Sequence, residues 1–126
     1  MQIKSLELIL EEANKQIKRL SFDESIDLIK NHSTLIIDVR EGIEIDKASL
    51  PFVDIYIPIS KVSFEYVSSI MSKYLNKKFV ILCHRGIRSY NFAQWLIDNK
   101  LVMEVWNLEE GIDGWSIYID SSIPRY

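Results

Sequence analysis

Between Phe79 and Ile97 the hydrophobic period of the chain changes within a few residues, and that change leaves few folds open. Phe79-Val-Ile-Leu82 is a short apolar run of the kind shown by a strand buried on both faces. The chain then turns through Cys83-His84-Arg85-Gly86-Ile87-Arg88. From Ser89, a helix start signal, Phe92, Ala93, Leu96 and Ile97 recur at helical spacing, and Asn99 supplies a C-terminal cap. Strand, six-residue loop and helix place the chain's single cysteine in a cradle. Loop N–H groups, the helix N-terminus and two arginines in the same turn each favour a thiolate there. The segment reads as a site that holds an anion on sulfur.

The flanking segments supply the layers such a unit needs. Leu6, Ile9, Leu10, Ala13, Ile17 and Leu20 recur at steps of three and four, predicting an amphipathic helix over residues 4–20. Ser21-Phe-Asp-Glu24 has the form of a capping box and opens a second helix to about Lys30. Thr34 to Val39 is β-branched and apolar, a buried strand, and His32 before it reads as a surface loop residue. A charged loop is expected from Arg40 to Pro51, a short strand at Ile55 to Ile57, and a helix over about 62–75. Val102 to Leu108 reads as a further strand, and Gly111 to Tyr118 as a short helical turn. Trp95, Trp106 and Trp115 are expected to pack in the core. Alternating strands and helices predict an α/β fold with a mostly parallel central sheet and helices on both faces. Sites in such sheets collect at the carboxyl ends of strands, where Cys83 falls.

Several function classes lose support at this point. The net charge of −3 offers no basic surplus for nucleic acid. No run approaches the roughly 18 apolar residues of a membrane span, and residues 1–16 hold no signal-peptide core, so the expected compartment is the cytoplasm. One cysteine makes no internal disulfide, in keeping with a reducing compartment. Glu44, Asp46, Glu109 and Glu110 have no metal-ligand spacing, and neither a metal nor an organic cofactor is expected.

Cys83-His-Arg-Gly-Ile-Arg-Ser89 resembles the Cys-x-x-Gly-x-Arg-Ser active loop of the rhodanese family of sulfurtransferases. Three further stretches agree in order. Leu35-Ile-Ile-Asp-Val-Arg-Glu41, followed by Glu44, resembles the family's first strand and Asp-Val-Arg signature; Leu50-Pro51 and Ile57-Pro58 resemble the segment that follows it; Asn107 to Trp115 resembles the terminal Leu-x-Gly-Gly-x-x-x-Trp. The chain departs from the pattern at Ala48-Ser49, at Phe52-Val53 and at Glu110, which stands for a glycine. The resemblance covers about residues 21–126 as a single-domain rhodanese-like fold and leaves residues 1–20 as a helical extension.

That resemblance implies a thiosulfate sulfurtransferase type of enzyme. Cys83 would take a sulfane sulfur from a small anionic donor, such as thiosulfate or a persulfide, and pass it to a thiol, to cyanide or to a sulfur-relay protein. Arg88 is expected to hold the anion, Arg85 to steer the donor from the rim, and Gly86 to adopt a backbone conformation that a β-carbon forbids. Ser89 would cap the helix or donate to the sulfur, with His84 and Ile87 in the same loop. Asp38 and Arg40 are expected to support it by pairing with the loop or with each other. Two readings stay open beside this one. A phosphatase or arsenate-reductase-like enzyme would use a Cys-x5-Arg loop, whereas only four residues separate Cys83 from Arg88. A non-catalytic binding module on the same fold is the other.

Overall fold

The computed structural model describes residues 17–30, 34–102 and 104–126. Strands β1 (Ile17–Leu20), β2 (Thr34–Asp38), β3 (Ile55–Tyr56), β4 (Lys78–Leu82) and β5 (Val105–Leu108) form one sheet in the order β1-β5-β4-β2-β3, every neighbouring pair parallel. Parallel strands need crossovers, and these carry α1 (Phe22–Ile29), α2 (Gly42–Lys47), α3 (Phe64–Met71) and α4 (Ile87–Asp98), with α5 (Gly111–Tyr118) after the last strand. The expected layered α/β architecture is therefore present.

Two apolar clusters cover the two faces of the sheet. The period of two along β4 sends Phe79 and Ile81 into one cluster with Val67, Phe92 and Leu96 of α3 and α4, and Val80 and Leu82 into the other with Ile112 and Trp115 of α5. Cys83 continues the parity of Phe79 and Ile81, so its side chain is buried beside α4. Trp106 and Trp115 are buried in the second cluster, and Trp95 packs against the first, in the roles expected of them.

Two expectations fail, for physical reasons. The helical pattern extends to Leu20 in the sequence, but Ile17–Leu20 is a strand paired in register with Val105–Leu108. Residues three apart share a face of a helix and lie on opposite faces of a strand, and here Ile17 and Leu20 are buried in opposite clusters. Hydrogen bonding to β5 overrides local periodicity. The rest of that predicted helix, residues 4–16, lies outside the described residues, as does His32. The second failure is the charged loop after Arg40, which contains the helix α2. Its first turn is held by the Glu44 carboxylate accepting the Glu41 N–H at 2.9 Å, a reciprocal cap built from a glutamate pair rather than a leading serine. At Ser21 half of the expected capping box forms: Oγ accepts the Glu24 N–H at 3.3 Å, while the Glu24 carboxylate accepts the Ser21 hydroxyl at 2.9 Å rather than the Ser21 backbone N–H.

Candidate active site

Cys83 follows β4, the central strand, at its carboxyl end and is 1% exposed. The chain reverses within Cys83-His84-Arg85-Gly86, and α4 starts at Ile87, two residues earlier than Ser89 suggested. Gly86 makes the short turn possible. Its φ is +97°, and a β-carbon there would run into the Glu109 carbonyl, so the role expected for it holds. The turn aims the Gly86 N–H at Cys83 Sγ, 3.1 Å away.

Arg88 and Ser89 thus belong to the first turn of α4, and Ser89 does not cap it. Ser89 is fully buried with its Oγ 3.2 Å from Cys83 Sγ and 2.5 Å from Asn107 Oδ1. A hydroxyl has one proton, so its direction matters. Asn107 Nδ2 donates to the Gly86 carbonyl at 3.1 Å, which turns Oδ1 toward Ser89 and draws the hydroxyl proton to itself. The Cys83 thiol then donates to Ser89 Oγ, and after loss of that proton the sulfur keeps the Gly86 N–H. Local sequence pattern alone does not mark Asn107 for chemistry. Its signal was a polar side chain inside the buried run Val105-Trp-Asn-Leu108, where polar groups persist only with partners.

The back of the loop is clamped from the other side. At the N-terminus of α5 the Ile112 and Asp113 N–H groups donate to the carbonyls of Cys83 and His84, each at 3.0 Å. Gly111, with φ of +61°, allows this approach because a β-carbon would meet both carbonyls. Helix α5 therefore holds the loop carbonyls away from the sulfur.

Arg85 is exposed at the rim, and Ile87 beside it is 73% exposed. His84 stacks on Tyr126, ring centroids 4.0 Å apart and nearly parallel, with its Nε2 unpartnered among the described residues. Arg88, expected to hold the anion, has both terminal nitrogens on the Glu44 carboxylate at 2.7 Å each. That contact, against some opposing burial, brings the Glu44 carboxyl down to about 2, helped by the Glu41 N–H and the Tyr126 hydroxyl. Arg88 is raised in turn, first by Glu44 and more weakly by the charge of Cys83.

Asp38 and Arg40 pair with each other, both wholly buried: Arg40 Nη2 lies 2.8 Å from Asp38 Oδ2, and the Arg40 N–H caps Oδ1 at 3.0 Å. Arg40 Nη1 continues to the Glu44 carbonyl at 3.3 Å and to the Tyr126 hydroxyl at 3.1 Å, and that hydroxyl donates to Glu44 Oε1 at 3.1 Å. Glu44 is thus the link between the strand signature and the Cys83 loop. Tyr126 has no signal in the local pattern, since its hydrogen-bond partners lie more than 80 residues away. Among the described residues no group of His, Cys, Asp and Glu side chains is placed to hold a metal ion, and no helix is long and apolar enough to cross a membrane.

Comparison with known proteins agrees with this geometry. The family model described as Rhodanese-like domain matches residues 21–118. The chain is 39% identical over 93 residues to Rhodanese-like/PpiC domain-containing protein 12, chloroplastic, of Arabidopsis thaliana, covering 72% of this chain and 30% of that protein. It is 26% identical to the Dictyostelium discoideum Adenylyltransferase and sulfurtransferase MOCS3, covering 98% of this chain and 32% of that one. It therefore spans about a third of the length of these curated relatives. Among solved structures, a rhodanese-related protein from Thermoplasma volcanium superposes with a TM-score of 0.60 at 25% identity, covering 85% of this chain and 95% of the other. Sequence blocks, sheet order and family model agree, and the chain belongs to the rhodanese-like domain family.

Proposed function

We propose that the protein is a sulfurtransferase that carries a sulfane sulfur as a persulfide on Cys83. The observation that carries this reading is the Gly86 N–H aimed at a buried Cys83 sulfur at the end of the central strand. In the first half-reaction the thiolate attacks the outer sulfur of thiosulfate. The new S–S bond forms as the sulfur–sulfur bond of the donor breaks, and sulfite leaves with the bonding pair. In the second, a thiol or cyanide attacks the terminal sulfur and Cys83 leaves as thiolate. A preorganised N–H costs no reorganisation as charge shifts along the two sulfurs. Arg85, exposed on the rim, draws an anionic donor inward. The likeness to a protein named for both adenylyl transfer and sulfur transfer supports a relay partner that presents or receives the sulfur. A reducing cytoplasm suits a single cysteine that works as a thiolate.

The test is mass spectrometry of the intact protein after exposure to excess thiosulfate or, separately, methanethiosulfonate. Addition of one sulfur atom to Cys83, its removal by cyanide as thiocyanate, and loss of both steps in Cys83→Ser are the expected results. Absence of loading from either donor overturns the proposal in favour of a binding module. Aryl-phosphate hydrolysis that depends on Cys83 overturns it in favour of phosphoryl chemistry.

A further inference from the structure

The Arg88–Glu44 pair changes what this site can accept. Arg88 lies on the first turn of α4, close enough to Cys83 for their charges to interact, yet both of its terminal nitrogens are committed to Glu44. This is not a loose surface pair. The Glu44 carboxylate also accepts the Glu41 N–H and the Tyr126 hydroxyl, its carbonyl accepts Arg40 Nη1, and its side chain is only 16% exposed. An incoming donor therefore meets a neutralised guanidinium backed by a fixed carboxylate. Arg85 remains as a cation of the loop, but it is exposed and its field is screened by salt.

We infer that Glu44 is a specificity-determining residue that makes the Cys83 site discriminate against dianionic sulfur donors in favour of monoanionic ones. The inference rests on the sulfur-transfer reading above. Thiosulfate carries two negative charges and methanethiosulfonate one. The chemistry at sulfur is otherwise matched: the first gives the Cys83 persulfide and sulfite, the second the same persulfide and methanesulfinate. Coulomb energy is linear in ligand charge, so the logarithm of the effect of Glu44 on a monoanion is half that on a dianion.

The experiment measures KM and kcat for both donors, with cyanide as acceptor, in wild type, Glu44→Gln and Glu44→Ala. The alanine variant frees Arg88 without setting an amide against it, which guards against a local defect in the glutamine variant. The expected result in both is a fall of about tenfold in KM for thiosulfate and about threefold for methanethiosulfonate. The gap between donors should close as salt rises, with kcat changing far less than KM. An equal shift for the two donors, or no shift, overturns the inference. So does a rise in the thiosulfate KM, which would mean that Glu44 merely holds Arg88 where it works. If wild type takes sulfur from neither donor, the sulfur-transfer reading itself falls before the variants are compared.

Discussion

Replacing one member of the buried Asp38–Arg40 pair is expected to cost far more than replacing both. Neither side chain has solvent exposure. Arg40 Nε lies 3.1 Å from each oxygen of Asp38, and Nη2 lies 2.8 Å from Oδ2. Arg40→Met strands a carboxylate, and Asp38→Leu strands a guanidinium together with the Arg40 N–H. Removing one partner of a buried pair typically costs about 3–5 kcal/mol, whereas exchanging both for apolar groups of similar volume is close to neutral. The double variant still loses the Arg40 contacts to the Glu44 carbonyl and Tyr126, roughly 1–2 kcal/mol. A coupling of at least about 2 kcal/mol between the two substitutions follows. In a chain of this size each single variant should melt about 10–20 °C lower. Urea unfolding of the four proteins closes the cycle, read from midpoints at a common slope. Single variants that cost under about 1 kcal/mol, or a double variant equal to the sum of the singles, would refute the claim that the pair is desolvated and mutually dependent.

Gly86→Ala should lower stability by roughly 2–4 kcal/mol, through the positive φ and the Glu109 carbonyl, and abolish sulfur loading of Cys83. A folded variant that loads at the wild-type rate would show that the turn is not required. Glu44 contributes to the acid limb of stability, since its carboxyl is held down at about 2 in the fold against an ordinary 4.5. A depressed carboxylate stabilises the fold fully above about 4.5, and that contribution fades as pH falls from there through about 2. With Arg88 35% exposed, we expect a loss of about 1–2 kcal/mol on that acid limb. Chemical unfolding between pH 2 and 6 should show it in wild type, and a limb equally steep in Glu44→Gln would refute the assignment.

The residues legible in the sequence are those whose environment is set by near neighbours in the chain. The run Phe79 to Leu82 and the spacing of Phe92, Ala93 and Leu96 are strand and helix by local period alone, and they put Cys83 at a strand end. Gly86 is the residue that a reversal of so few residues needs, and Ser21 with Glu24 caps a helix within one turn. What failed depends on partners brought together by sheet order. Ile17–Leu20 has a helical pattern and becomes a strand because β5 offers it a ladder. Arg88 looked free to bind an anion until the crossover placed Glu44, 44 positions earlier, against it. Asn107 reaches Gly86 and Ser89 because β5 lies beside β4, and Tyr126 reaches Arg40 and Glu44 across the fold. Period and turn chemistry, which act over a few residues, were enough to outline the cradle around Cys83 from sequence. The charges and hydrogen bonds that tune the cradle come from side chains far apart in the chain, which become neighbours only once the sheet has formed.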